Sequence, residues 1–467
     1  MIEEILKQEV DKGWSNKELE DIDLKDKRLN NRLINLSESL SAKPGASINQ
    51  ACEIWKDTKS AYRLFSNEKV TLDNILKPHQ MSTVKRMEGQ KLIICAQDTT
   101  YYNYNKHKQN KDMGSIGKSR GGVNQGLIMH SALALTVSGL PIGLLSLEIW
   151  ARETRDKISN DELKRLPIEE KESHKWIKAL RKTEKLKPEG TRIVTVCDRE
   201  GDIYELFVEA RDIKGEILVR ANRNRNLSDE DVKLWEYMDS QPLVGNIKID
   251  VPKRETEAER IAIVEVRYGR VNLSPPIDFR KSKREKAGIV TIDAVWVKET
   301  NAPENVTPIE WMLLTNVSVQ NYGDAIERIS WYKCRWNIEV YHKVIKSGCN
   351  VEECRLQTKD RLIPYITLCS IIAWRLFWMT KINRQEPDSP CTIILGEHEW
   401  KALYVRIHSN NKLPEKLPTV REVIRWIGRL GGFLGRKGDK EPGITAIWRG
   451  WRELETISHM WLIMKSL

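Results

Sequence analysis

RIVTVCD, residues 192–198, is a short apolar run that ends on an acid, and DIYELFVEAR (202–211) follows it with helical spacing. A strand feeding a helix is the repeating step of an α/β sheet, and such sheets hold ligands and catalytic groups at the carboxyl ends of their strands. Asp198 therefore stands where chemistry is expected, although an acid there also serves as a helix N-cap. A second run of this kind, LIICAQD (92–98), ends on Asp98.

Outward from these two runs the sheet pattern continues. LIMHSALALTVSG (127–139) and LPIGLLSLEIW (140–150) read as two strands around a Ser138-Gly139 turn, EILVR (216–220) as another, and IEWMLLT (309–315) as a further one. Between about 221 and 300 the strand-like runs NIKIDV, RIAIVEVRYG and VTIDAVWV interrupt the βαβ rhythm, as an inserted β subdomain would. The Gly-rich stretch Gly114 to Gly126 fails the G-x-x-x-x-G-K-S/T test for a phosphate loop. It reads either as a mobile loop offering Lys118 and Arg120 to a DNA backbone or as a plain surface turn.

From Tyr332 to Lys346 the spacing predicts one helix. At about 100° per residue, Tyr332, Arg335, Glu339 and Lys346 share one narrow face, while Cys334, Ile338, Tyr341 and Ile345 form an apolar stripe on the other. Charged residues on an outer helix face are ordinarily just solvated, and Glu339 with its cationic neighbours could be plain ion pairing. The alternative is a carboxylate, two cations and a phenol that grip phosphate beside a metal. Two strand-end aspartates and a helical glutamate are hard oxygen ligands, suited to Mg²⁺ or Mn²⁺ rather than zinc, in sets that hold two ions. A paired-carboxylate glycosidase would also use such acids, but it would not explain the basic helix face or the net charge.

Residues 1–75 read as all-helical. Leu29, Leu33, Leu36 and Leu40 make an apolar stripe while Arg28 and Arg32 follow another face; Pro44 and Gly45 end that helix. Asp57 is the expected N-cap of a further helix bearing Lys59, Tyr62 and Arg63. Short helices with basic faces suit a DNA-reading module, or simply a helical cap on the next domain. Beyond about 375 the chain is helical again, with a basic Gly-rich loop (428–440) and a last helix from Trp448 through Trp461.

Composition agrees with a polyanionic partner. Over 467 residues, 77 Lys and Arg face 66 Asp and Glu, a formal charge of +11, with a pI near 9.1. The eight cysteines include no CxxC pair, which argues for reduced, buried thiols rather than structural zinc. The opening MIEEILKQEVDKGW lacks the pattern of a secretory signal, and the apolar run from Tyr365 to Met379 carries Arg375, so it reads as a buried helix rather than a membrane span.

Taken in order, Asp98-Thr99-Thr100, then Gly114-Ser-Ile-Gly-Lys-Ser-Arg-Gly121, then V-C-D-R-E-G-D-I (196–203), then Tyr332, Arg335, Glu339 and Lys346 resemble the DDE transposases of bacterial insertion sequences, and among them the IS-four family. K-S-A-Y-R-L-F (59–65), R-L-G-G-F (429–433) and W-R-G-W (448–451) extend the resemblance to both ends. It implies an α/β, RNase H-like catalytic core over 76–375 with a β-rich insertion at 221–300. All-α domains would flank it: a DNA-end-binding domain at 1–75 and a dimerisation domain at 376–467.

By the same resemblance Asp98, Asp198 and Glu339 match the metal-binding triad, for two Mg²⁺ ions with Mn²⁺ able to substitute. Tyr332, Arg335 and Lys346 match a phosphate grip. Trp311 matches a tryptophan whose pocket receives a flipped base, Arg220 a strand-end arginine near the DNA, and Arg28, Arg32 and Arg63 basic positions of the end-reading domain. The implied partners are double-stranded DNA, as transposon ends and target, and a second copy of the chain on the paired ends. No membrane is implied, and the expected location is the bacterial cytoplasm, on the nucleoid. A structure-specific nuclease or resolvase on the same core, and a catalytically silent DNA-binding inhibitor, are the alternatives.

Overall fold

The computed structural model describes residues 14–107, 109–119, 122–153, 162, 166–251, 258–277, 279–410 and 412–466. It is a mixed α/β chain, helical towards both ends. Its strands are, in chain order, β1 Leu92–Asn103, β2 Gly114–Ser119, β3 Gly122–Thr136, β4 Pro141–Trp150, β5 Arg192–Cys197, β6 Glu216–Arg220, β7 Gly245–Val251, β8 Arg260–Leu273, β9 Val290–Glu299 and β10 Glu310–Thr315. The chain divides into two compact units, Met1–Gln90 with Thr99–Thr154 and Glu339–Leu467, and Lys91–Asp98 with Arg155–Ile338.

The second unit holds the expected βαβ pattern. The first part of β1 pairs with β5 in parallel, and β5 pairs with β6 in parallel across the helix Tyr204–Asp212. From there the sheet turns antiparallel through β10, β9, β8 and β7. The stretch 221–300 therefore does not close on itself as a separate subdomain. Its three strands lengthen the same sheet, because the backbone groups at the free side of β10 need partners and β9 supplies them. Helices His174–Lys185 and Tyr204–Asp212 cover this sheet, with Trp176, Leu180, Tyr204 and Phe207 buried against Val219, Ala294 and Leu314.

The first unit is built around the helix Lys359–Gln385. It is apolar on nearly all sides and buried, because β4 and the helices Lys27–Ala42 and Leu72–Met87 all pack on it. It is long and apolar enough to cross a membrane but is a core helix, as its Arg375 implied. The leucine stripe at 29, 33, 36 and 40 is buried as expected. Asp57, however, caps nothing: the helix Trp55–Leu64 starts at Ile54 without a side-chain cap, and Asp57 lies in its first turn. The capping box in this region is Ser47 with Gln50, at the start of Ile48–Cys52. The Gly-rich stretch is not an open loop either. Gly114–Ser119 forms β2 and pairs antiparallel with β3, since Gly114 and Gly126 let backbone approach where a Cβ would strike Arg152 and Tyr102.

A buried ionic cluster ties the chain's first described helix, Trp14–Glu18, to this core. Glu18 takes both Nη1 and Nη2 of Arg86, at 2.7 and 2.9 Å, and His79 Nδ1, while His79 Nε2 accepts from the Leu144 amide at 2.9 Å. Arg86 also lies over the Trp374 ring at 4.3 Å. Burial alone would raise the Glu18 pKa, but Arg86 and His79 outweigh it and bring it down to about 2. His79 is pushed down by burial and stays neutral, which fits its use as an acceptor.

Both shifts have one sign. A depressed carboxyl contributes stability above its unfolded pKa of 4.5 that is lost as pH falls towards 2. A buried neutral histidine is destabilising below 6.5, where the unfolded chain takes the proton. Acid denaturation should therefore set in below 6.5 and steepen below 4.5. Glu18→Gln should flatten the lower part of that stability profile, which urea titrations from pH 7 to 3 would detect; an unchanged profile would refute the assignment.

Candidate active site

Asp98 lies on β1, and Asp198 directly follows the neighbouring strand β5. The parallel register ends with Ala96 opposite Val196, so each aspartate stands two residues beyond that last pair. Asp98 is not at the end of its own strand, since β1 runs on to Asn103; it stands where its neighbour β5 stops, at Cys197.

Asp198 is a cap, as the sequence allowed, but not of the helix that its pattern pointed to. Its Oδ1 accepts from the Glu200 amide at 2.9 Å and caps a short 3₁₀ turn, Arg199–Gly201. The cap engages one carboxylate oxygen. Gly201 is required here, because a Cβ would lie 2.5 Å from that of Cys197. The helix then begins only at Tyr204, later than its sequence pattern suggests. Beneath the two acids, the buried Cys197 thiol is pushed well up by burial, with Asp198, Cys95 and Asp98 adding to the rise and Arg335 opposing it. These charges share one small region.

The predicted single helix from 332 to 346 is three pieces. An α-helix Tyr322–Cys334 is followed by Arg335 in helical conformation, an α-helix Trp336–Lys343 and a π turn Val344–Gly348. Ile338, Tyr341 and Ile345 are buried as the stripe required; Cys334 is only half-buried. The π turn packs more residues per turn, so Lys346 is rotated from the face an unbroken α-helix would give it, and such turns gather at functional sites.

Arg335 Nη1 stands 3.7 Å from Asp98 Oδ2, with side-chain exposures of 11% and 17%. Its guanidinium carbon lies 5.7 Å from the centre of the Tyr332 ring, and that ring meets Trp311 edge-on at 5.1 Å. Tyr332 is buried, so its ring braces Arg335 and Trp311. Trp311, on β10, is half-exposed. Arg220 faces Leu313 across the β6–β10 pairing, which puts it on Trp311's side of the sheet, and its Nη2 donates to the Glu310 carbonyl at 2.8 Å. Glu339 lies in the first turn of Trp336–Lys343, four residues beyond Arg335.

Asp98 on β1 and Asp198 just past β5 offer hard oxygen donors, chemistry that fits Mg²⁺ or Mn²⁺. Among the described residues, no three His, Cys, Asp or Glu side chains are gathered into a ready-made metal cluster. In this structure the Arg335 guanidinium places a positive charge beside Asp98.

The remaining candidates are spread more widely. Lys118 is exposed on β2, and Arg120 lies outside the described residues. Arg28, Arg32 and Arg63 are exposed on the N-terminal helices, where Trp55 is also 75% exposed. Sequence reading missed Asp202, four residues after Asp198. Its carboxylate is fully buried; it accepts from the amides of Asn222 and Arg223 at 2.8 and 2.9 Å and pairs with the buried Arg225 at 2.5 Å. It thereby pins the segment that follows β6 and Arg220. The second acid inside V-C-D-R-E-G-D-I was the available signal.

Comparison with known families gives two matches. Residues 11–70 match the family described as Transposase DNA-binding, and residues 371–460 match the Transposase Tn5 dimerisation domain. The first match contains Arg28, Arg32 and Arg63.

Proposed function

Since this chain is a Tn5-like transposase of the IS-four family, with that family's DNA-binding and dimerisation domains, we propose that it excises and reinserts DNA by a cut-and-paste route centred on Asp98, Asp198 and Glu339. The observation that carries this reading is the pair of aspartates, each two residues past the last register pair of the parallel strands β1 and β5, with Arg335 against one of them. Asp98, Asp198 and Glu339 would hold two Mg²⁺ ions. Such ions, when bound, lower the pKa of an attacking hydroxyl and stabilise the leaving oxygen of an in-line phosphoryl displacement.

The protein's own groups then position DNA. Arg335 and Lys346 would hold phosphates of the strand end, and alignment supplies much of the rate of phosphoryl transfer. Water first opens a phosphodiester at the element's end and frees a 3′-OH. That hydroxyl attacks the opposite strand, which closes a hairpin and releases the flanking strand as its leaving group. A second water opens the hairpin, and the recovered 3′-OH attacks target DNA. A tight hairpin unstacks a base at a cost of a few kcal/mol, and Trp311 would recover part of that by stacking.

The test is incubation of purified protein with Mg²⁺ and DNA bearing the flanking element's ends. Hairpinned, excised product is the expected outcome. Nicking of branched DNA regardless of ends would favour the nuclease reading, and binding without cleavage the inhibitor. In the same assay Trp311→Ala should slow hairpin closure about tenfold or more relative to first-strand nicking. Equal slowing of both steps would remove Trp311 from the base-pocket role.

A further inference from the structure

Away from these residues the first unit carries a cationic groove made by three separate segments. Two adjoining cavities, of about 420 and 400 Å³, share Arg449 and Arg452 on the helix Ile444–Ser466. One also takes in Lys43, at the end of the helix Lys27–Ala42, and the other Lys343, at the end of Trp336–Lys343. Ser347, Asn350 and Thr445 add neutral hydrogen-bonding groups to the lining.

Its floor is closely built. A Cβ on Gly348 would lie 3.1 Å from the Trp448 ring, and a Cβ on Gly45 would lie 2.7 Å from the Gly348 carbonyl oxygen. Asn350 Nδ2 donates to the Gly45 carbonyl at 3.1 Å. The three segments are thus locked together beneath the cations.

The charges are only partly compensated. Glu453 lines the groove but pairs with Arg406 at 3.3 Å, and Lys43 pairs with the exposed Glu53. Among the described residues no carboxylate is ion-paired with Arg449, Arg452 or Lys343, and all three are exposed. Arg449, Arg452 and Lys343, with Lys43 beside them and hydroxyls and an amide in the lining, make a surface that suits a chain of phosphates.

We propose that this groove binds the sugar-phosphate backbone of duplex DNA, through Arg449 and Arg452 on one side and Lys43 and Lys343 on the other. The proposal rests on the reading of the chain as a DNA-binding transposase. It adds that the helix Ile444–Ser466, within the matched dimerisation segment, contacts DNA directly. Backbone contact carries no base preference, so the groove would add affinity and hold register without choosing sequence.

The experiment measures binding of the full-length protein to a duplex carrying the element's end, by fluorescence anisotropy across a salt series. Each phosphate contact contributes about 0.9 to the slope of log K against log salt. R449A/R452A should therefore lower the slope by about 1.8 and weaken binding about tenfold or more near physiological salt. R449K/R452K should keep the slope, because a phosphate contact needs the charge and a packing role would need the arginine. Unchanged slope and affinity in the alanine pair, with the parent binding normally, would overturn the groove alone. An unchanged slope with loss of the dimer in sedimentation would also overturn it, and give the face to a second copy of the chain. A parent protein that shows no salt-dependent DNA binding would take down both this proposal and the function it rests on.

Discussion

Asp198→Asn is expected to leave end binding within about threefold of the parent and to lower first-strand nicking by about three orders of magnitude or more. The size follows from the proposed role: losing a ligand charge that supports phosphoryl transfer would forfeit several kcal/mol of transition-state stabilisation, at about 1.4 kcal/mol per decade. Asparagine is the informative substitution, because Asp198 also caps the Arg199–Gly201 turn with Oδ1. Asparagine caps as well as aspartate, so the turn and the strand beneath it should persist while the negative charge is lost. A fall in nicking with unchanged melting and binding therefore reports chemistry, not folding. Titration of the parent and the variant with Mn²⁺, followed by calorimetry, gives a second reading, and the variant should bind the ion more weakly. Nicking by Asp198→Asn within threefold of the parent would sink the metal-ligand role.

Much of the sheet around the candidate site was legible because strands declare themselves by apolar runs and acids at their ends stand out. LIICAQD and RIVTVCD lie on neighbouring strands, and their parallel register ends two residues short of each acid. What could not be read was where an element stops. β1 runs five residues past Asp98 because residues after it still find strand partners, a fact set by other parts of the chain. The helix through Arg335 was legible as a face but not as three pieces. A π turn needs one extra residue accommodated by packing, and Val344 and Ile345 are both fully buried there. Lys118 was read as a loop cation for a similar reason: glycines signal turns, yet here Gly114 and Gly126 serve close backbone approach within a strand pair.

The buried Asp202–Arg225 pair shows how a motif carries support as well as chemistry, and its removal should be the largest stability effect in the second unit. Asp202→Ala leaves the Arg225 guanidinium, only 6% exposed, without its carboxylate, and leaves the amides of Asn222 and Arg223 without their acceptor. Breaking one partner of a buried ion pair costs about 3–5 kcal/mol, chiefly through the stranded charge. The rings of Tyr204 and Phe207, 6.0 and 5.6 Å from that guanidinium, offer too little to replace a carboxylate. Two controls separate the charge from the fold. Asp202→Asn keeps an acceptor and should lose less than the alanine variant. Asp202→Ala combined with Arg225→Met removes both charges and should recover much of the loss, since buried pairs replaced by apolar groups are often near neutral. Denaturant unfolding measures all three. A loss below about 1 kcal/mol for Asp202→Ala, or a double variant no more stable than the single, would show that the pair is not what holds the segment after β6. If the pair does hold it, the single variant should also weaken DNA binding through displacement of Arg220, whose strand leads directly into that segment.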